Sequence, residues 1–145
     1  MTSPTPGATL EKPSLYRLAE DGRSLRLLAV RCRDCDAISF PATVYGCRRC
    51  GADRGALDPV ELSGAGTLKN FVTIHRDVMP GFAPPAIVGE VEIAPGVVEE
   101  VHLVETDEAR LARGATVRAV AVAVARDGGE KLACRFTIDA DGALR

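Results

Sequence analysis

The sequence predicts a mainly β protein that is built from two modules. Two Cys-x-x-Cys pairs lie close together between residues 32 and 50, which is the layout of a small metal-stapled unit. The second half of the chain carries five stretches with the alternation of β-strands, interrupted once by a short helical pattern. Between the halves, the polar stretch "GADRGALDP" is typical of a link. We therefore divide the chain into a flexible leader, a helix and ribbon, a barrel and a tail, at residues 1–12, 13–56, 57–140 and 141–145.

The composition is that of an ordinary globular protein and narrows the classes of function. The 145 residues are 46% hydrophobic and 26% charged, and the formal net charge is −2. A chain built chiefly to bind nucleic acid normally shows a basic excess. The first residues, "MTSPTPGATLEKP", lack the basic and apolar regions of a secretory signal, and no window reaches the ~18 apolar residues that span a bilayer. The sequence therefore predicts a cytoplasmic protein without a membrane partner or a nucleic-acid partner.

The first module begins with a predicted helix. Leu15 and Leu18 fall on one helical face, and Asp21-Gly22 supplies a stop, which together predict a helix over about residues 14–20. The stretch "SLRLLAVR" that follows predicts a strand that leads into the first cysteine.

The two cysteine pairs predict a zinc site. Eleven residues separate the pairs, and each Cys-x-x-Cys turn can supply two sulfurs to a tetrahedral shell. Gly51 after the second pair allows a left-handed turn that points backbone N–H groups at sulfur, and Asp36 holds the equivalent place after the first. Four thiolates leave no coordination position for water, so a structural rather than a catalytic site is expected. A segment of ~45 residues with few apolar side chains also needs a cross-link, which a bound metal supplies. The predicted ligands are Cys32, Cys35, Cys47 and Cys50.

Two other roles for the four sulfurs stay open at this point. Iron on four thiolates would transfer electrons, although the chain shows no flavin or nicotinamide motif. A ribbon can also bind nucleic acid, which is the alternative function. Residues 26–54 hold six arginines and three aspartates, however, and a zinc tetrathiolate contributes −2, which leaves only about +1.

The second module predicts an oligonucleotide/oligosaccharide-binding (OB) barrel of five strands with one short helix. Three strands come first, then a helix that Thr106 caps, then two strands, and an OB fold places its helix between the third and fourth strands. The second and third strands contain four glutamates and no aromatic residue on which bases could stack, which disfavours single-stranded nucleic acid. The predicted strands cover residues 68–75, 86–93, 97–104, 116–126 and 130–138, with hairpin turns at "APG" and "DGG".

The segment "HRDVMPGFAPP", residues 75–85, is the most unusual feature outside the cysteines. It joins the first two barrel strands, a position that commonly contributes to ligand binding in OB folds. Its prolines stiffen a loop that presents Met79 and Phe82, which suits a partner or cofactor interface because little entropy is lost on docking. The alternative is that both side chains fold back over the barrel end. His75 is either a polar cap of its strand or a contact for a partner.

No grouping of side chains predicts a complete catalytic site. The chain shows no Ser/His/Asp set, no phosphate-binding glycine loop and no carboxylate pair. The fifth cysteine, Cys134, shares a predicted strand face with Leu132 and Phe136, which indicates a small buried hydrophobic residue, with a reactive thiol as the alternative. We therefore expect a protein that is not a complete enzyme by itself.

Five stretches of the chain together resemble one known family. They are "LYRLAEDGRSLRLLAVRCRDC", "FPATVYGCRRCG", "LSGAGTLKNFVTIHR", "PGFAPPAIVGEVEI" and "LARGATVRAV", spread over residues 14–138. A leading helix, a four-cysteine ribbon with "FP" between the pairs and "SGxGT" at the start of the barrel form a specific combination. The combination resembles the DUF35 proteins, which are described as OB-fold acyl-CoA-associated proteins with a rubredoxin-like zinc ribbon.

The resemblance implies a non-catalytic accessory subunit of a thiolase-superfamily enzyme that acts on acyl-CoA. Related proteins pair with thiolases, acyltransferases, hydroxymethylglutaryl-CoA synthase and the thiolase-like aldolases that cleave steroid side chains. The partner holds the catalytic residues, and the DUF35 chain scaffolds it in a hetero-oligomer and contacts or channels the CoA thioester. By analogy, the 75–85 loop, with His75, Met79 and Phe82, faces the partner. From charge and position alone, the candidates for contact with CoA phosphates are Arg48, Arg49, Lys69 and Arg76.

The chain departs from the commoner DUF35 pattern at two ribbon positions. Many members have Gly after the first cysteine pair and Pro within the second, where this chain has Asp36 and Arg48. Neither change removes a predicted zinc ligand. The ribbon surface differs, however, so the identity of the partner does not follow from the family.

Overall fold

The computed structural model describes residues 8–77 and 83–139. These residues form ten strands and two one-turn 3₁₀ helices, so the chain is mainly β as predicted. Within the same ranges no helix is long and apolar enough to cross a membrane. In chain order the strands are β1 (Thr9–Leu10), β2 (Tyr16–Leu18), β3 (Leu25–Cys32), β4 (Ile38–Ser39), β5 (Leu57–Leu62), β6 (Ala65–Ile74), β7 (Ala86–Ala94), β8 (Val97–His102), β9 (Thr116–Arg126) and β10 (Gly129–Ile138), and the 3₁₀ helices are Arg54–Ala56 and Glu108–Arg110.

A four-stranded sheet carries the cysteine ribbon. Its central strand, β3, pairs antiparallel with β2, β4 and β5. The pairing with β5 is continuous over six residue pairs, from Leu27↔Leu62 to Cys32↔Leu57. The end of the predicted link "GADRGALDP" is therefore already a strand, which the sequence pattern hides because Pro59 interrupts it.

A six-stranded sheet in the order β1-β10-β9-β6-β7-β8 forms the barrel. β6 to β10 are the five predicted strands, with each end within three residues of its prediction. β1 adds a sixth strand by pairing parallel with β10, so the predicted strand count is wrong for this sheet. The barrel closes between β10 and the residues directly after β8, where Leu103 bridges Phe136 and the N–H of Val104 donates to the carbonyl of Phe136 over 2.8 Å.

The predicted N-terminal helix is wrong. Tyr16–Leu18 is a strand, with Tyr16 only 4% exposed and paired with Leu27. The N–H of Leu28 also donates to the carbonyl of Leu15 over 2.9 Å. A helix of about seven residues is marginal by itself, whereas the edge of β3 offers this segment ready hydrogen-bond partners. Asp21-Gly22, predicted as the end of that helix, instead forms the turn that returns the chain into β3.

The predicted helix between the third and fourth barrel strands is reduced to a single 3₁₀ turn, Glu108–Arg110. The residue that caps it is Asp107 rather than Thr106, since the Asp107 carboxylate accepts the N–H of Ala109 over 3.0 Å. Gly114 has a φ of +88° and ends the segment as a glycine stop should.

The ribbon sheet and the barrel share one apolar core. Tyr16, Leu25 and Leu27 of the ribbon sheet pack in the same cluster as Leu68 and Phe136 of the barrel. The first glycine of "SGxGT", Gly64, explains how closely the two sheets approach each other. A Cβ on Gly64, whose φ is +86°, would lie 2.2 Å from the carbonyl oxygen of Leu25, which no real side chain tolerates.

Candidate metal centre and the adjoining groove

The four predicted zinc ligands converge on one point. The sulfurs of Cys32, Cys35, Cys47 and Cys50 all lie within 4.8 Å of one another. Cys32 and Cys50 are 3.6 Å apart through Sγ, and Cys35 and Cys47 are 3.5 Å apart. A tetrahedron with Zn–S bonds of ~2.3 Å has edges of about 3.8 Å, so the cluster has the size that zinc requires.

Two matching turns position these sulfurs. The first follows β3, where the N–H of Asp36 donates to the carbonyl of Cys32 over 2.8 Å. In the second, the N–H of Gly51 donates to the carbonyl of Cys47 over 3.0 Å. Asp36 and Gly51 both adopt the left-handed conformation, with φ of +67° and +79°. The predicted left-handed position after each pair is therefore confirmed.

The backbone prepares Cys47 to be a thiolate. The N–H groups of Cys50 and Arg49 both point at its Sγ over 3.4 Å. These hydrogen bonds, that from Cys50 first, lower the pKa of Cys47 to about 6. A thiolate donor set of four fits zinc and closes its coordination shell. When bound, the metal would supply a structural cross-link between the two turns, held by the four cysteines.

Three of the six arginines between residues 26 and 54 are engaged inside the ribbon. Arg33 bonds Asp58 and the carbonyl of Gly55, and Arg31 lies 3.5 Å from Asp36. Arg54 donates to the carbonyls of Ala42 and Val44. These contacts hold loops together, while Arg31, Arg48 and Arg49 line a groove beside the barrel.

A groove of about 780 Å³ separates the ribbon from the β7–β8 hairpin. Arg31, Arg48 and Arg49 line its ribbon side, and Pro95 to Glu99 line its barrel side. Burial raises the pKa of Glu99, and the charge of Arg48 opposes that rise. The groove therefore combines cations, apolar side chains, the half-buried carboxyl group of Glu99 and the exposed carboxylate of Asp36.

The other two candidate CoA contacts lie elsewhere. Lys69 is in the middle of β6 and pairs with Glu92 over 3.8 Å. Arg76 follows the end of the same strand and is exposed. Among the described residues, the groove lining includes neither of them. Of the four candidate CoA contacts, the structure thus brings Arg48 and Arg49 together.

Of the predicted interface residues, only His75 can be placed, because Met79 and Phe82 lie outside the described residues. His75 is exposed and lines a cleft of about 400 Å³ with Pro84 and Pro85. The segment Thr106 to Glu108 forms the other side. The role of His75 at an interface stays a prediction.

A cavity that sequence reasoning missed lies where the N-terminal segment, the ribbon and the barrel meet. It measures about 270 Å³, and Tyr16, Phe40 and Val101 are among its apolar walls. Cys134 also faces it, and burial raises the pKa of that thiol to about 12. The thiol therefore stays protonated, which agrees with the predicted apolar role. The one available sequence signal was Tyr16, an aromatic residue in a segment otherwise interpreted as an amphipathic helix.

The chain is similar to proteins that combine the same two modules. Residues 19–55 match the domain described as "ChsH2, rubredoxin-like zinc ribbon domain", and residues 59–122 match "ChsH2, C-terminal OB-fold domain". A chain of a solved structure described as "Ltp2-ChsH2(DUF35) aldolase" has the same fold, with a TM-score of 0.60 and 24% sequence identity, over 78% of this chain and 84% of that chain. No curated protein matches the chain.

Proposed function

Because the chain belongs to the DUF35 family of ChsH2-type proteins, we propose that it is a cytoplasmic, non-catalytic accessory subunit of a thiolase-like enzyme that acts on acyl-CoA. The observation that carries the proposal is the match to ChsH2 domains in both modules, in the same order along the chain. The similar solved structure is described as an aldolase of two named components, which supports a hetero-oligomer here.

The groove beside the zinc ribbon supports a contact with the CoA thioester. CoA carries phosphates at one end and an acyl chain at the other, so it suits a surface with both cations and apolar walls. Arg48 and Arg49 would bond the phosphates, while Val97 and Phe40 would pack on the apolar part. Zinc has no part in the reaction under this proposal, because it serves to hold Arg48 and Arg49 in place.

Co-expression with a candidate thiolase-like enzyme tests the proposal. We expect one complex in size-exclusion chromatography with light scattering, and turnover of acyl-CoA only when both chains are present. An enzyme that is fully active and well folded without this chain, and that never co-elutes with it, would overturn the accessory role.

Paired arginine variants test the CoA contact separately. R48Q/R49Q should raise the KM for acyl-CoA roughly tenfold, because charge-assisted hydrogen bonds to phosphate are lost. The same variant should leave turnover of an acyl-pantetheine substrate, which lacks the ADP phosphates, unchanged. R23Q/R110Q, which removes two exposed cations outside the groove lining, is the matched control. An equal loss with both substrates would assign the two arginines to folding or docking instead.

A further inference from the structure

The outward face of β6, β7 and β8 combines exposed valines with acidic side chains. Residues opposite each other on paired strands lie on the same side of a sheet. The register therefore places three cross-strand rows on this face, namely Val72–Val88–His102, Asn70–Glu90–Glu100 and Glu92–Val98. The alternating residues Ile87 and Val91 are at most 1% exposed, which confirms that the three rows point away from the core. We call these residues the valine–glutamate face.

The exposed valines of this face lie on either side of its acidic central row. Val72 is 58% exposed and Val98 is 45% exposed. Val104, two residues beyond His102 of the first row, is 38% exposed. Among the described residues, the other large hydrophobic side chain with comparable exposure is Tyr45 of the ribbon. A single exposed apolar residue is common, whereas a face that exposes several apolar side chains beside acidic ones suits an interaction with a partner.

The central row keeps two like charges directly opposite each other. Glu90 and Glu100 are cross-strand partners, and such a pair destabilises a sheet. The polar neighbours of this pair are compensated, since Lys69 pairs with Glu92 and Arg113 donates to Asn70 over 3.1 Å. The ion pairs of the described residues include neither Glu90 nor Glu100. The fold therefore tolerates a local repulsion that a basic group from outside would relieve.

The face also occupies the ligand-binding position of OB folds. β7 and β8 are the second and third barrel strands, whose surface binds oligonucleotides and oligosaccharides in other OB proteins. Glu90 and Glu100 would repel a phosphate backbone, and valines cannot stack on bases. A second copy of the same face would bring acids against acids. The remaining occupant is a protein surface with basic and apolar side chains.

We infer that the valine–glutamate face docks a basic and apolar surface patch of the partner enzyme. This inference rests on the proposed function for the identity of the partner. It adds which face binds and which chemistry the partner must present. Lysines or arginines of the partner would lie against Glu90 and Glu100, while its apolar side chains cover Val72 and Val98.

Charge-reversal variants in the complex test the inference. With the co-expressed thiolase-like enzyme, E90K/E100K should raise the dissociation constant at least about tenfold, because the new cations repel a basic patch. The control E20K/D127K makes the same change in net charge at exposed acids off this face and should bind normally. A dissociation constant that E90K/E100K leaves unchanged would overturn the inference and leave the proposed function intact.

The single variant E100K separates docking from folding. It places a cation opposite Glu90, so the melting temperature of the free chain should stay the same or rise. Binding should fall nonetheless. A purely structural role for the row would move stability and binding in the same direction.

If the wild-type chain binds no thiolase-like enzyme, the proposed function fails. A peptide titration then tests separately whether the valine–glutamate face binds basic and apolar side chains. Acetyl-Lys-Val-Lys-Val-Lys-amide should shift the NMR signals of residues 72, 90, 98 and 100 at millimolar concentration. The acidic counterpart, acetyl-Glu-Val-Glu-Val-Glu-amide, should not. Shifts located elsewhere, or none at all, would overturn the inference.

Discussion

The ribbon and the barrel are stabilised by different means. From Cys32 to Ala56, a segment that the structure describes throughout, the buried hydrophobic residues are Cys32 and Cys47, and both are predicted metal ligands. The barrel instead buries a continuous set of large side chains, including Leu68, Val91 and Phe136. A segment too poor in apolar residues to form a core can be ordered by short-range backbone hydrogen bonds together with the cross-link that a metal on four cysteines would supply.

Zinc removal should have the largest effect and should separate the two regions. The apparent binding free energy of a structural zinc, about 10–16 kcal/mol, is as large as the whole net stability of a domain, about 5–15 kcal/mol. With a chelator, or in C47S, we therefore expect residues 32–56 to lose amide protection in hydrogen exchange. Amides of β7 should stay protected, although less strongly.

The control for this experiment is C134A, which removes the cysteine that lies outside the metal cluster. It should melt within a few degrees of the wild-type protein with its zinc intact. Ribbon amides that remain protected after complete zinc removal would show that the two regions are stabilised alike.

The contact between the two regions should give the next largest effect. In G64A, a Cβ would meet the carbonyl oxygen of Leu25 at 2.2 Å, in a residue that also has a positive φ. We expect a loss of about 2–4 kcal/mol in the free energy of urea unfolding. G22A has a similar φ of +73° with nothing within 4 Å, and it should cost only about 1 kcal/mol. Equal losses would mean that strain, and not the approach of ribbon to barrel, limits Gly64.

The smallest effect should come from Glu99, on the barrel side of the groove. Burial raises its pKa in the folded chain, so the folded state binds this proton more tightly than the unfolded state does. Stability is therefore lost as the pH rises from the unfolded pKa, about 4.3, through the folded pKa. E99Q should gain stability over the wild-type protein as the pH increases from 5 to 8, by well under about 1 kcal/mol because solvent screens the group.

Urea unfolding of both proteins across this pH range measures the effect, and taking the difference cancels titrations that they share, including those of the cysteines. E20Q, at an exposed carboxylate, should show no such trend. A difference that shrinks with rising pH would mean that Glu99 is stabilised as an anion, and that the groove is more strongly cationic than its contacts indicate.

Much of the fold was predictable because its signals are local. The five long barrel strands alternate with period two, and their hairpin turns carry Pro95-Gly96 and Asp127-Gly128. The cysteine spacing likewise predicts the convergence of four sulfurs, since two short turns can bring them together without help from the rest of the chain. The helix predicted over residues 14–20 was wrong because a short amphipathic segment fits either a helix or a strand. The free edge of β3 selects the strand for Tyr16–Leu18.

The sequence by itself determined the convergence of the four cysteines, the left-handed turns at Asp36 and Gly51, and the positions of the barrel strands. Only the tertiary structure decided that Arg48 and Arg49 face the barrel, that β5 joins the ribbon sheet, and that Glu90 lies opposite Glu100. The physical reason is how far apart along the chain the residues lie that set each feature. Turn geometry and side-chain alternation depend on residues a few positions apart, whereas a groove, a sheet edge or a cross-strand row exists only after distant segments have packed.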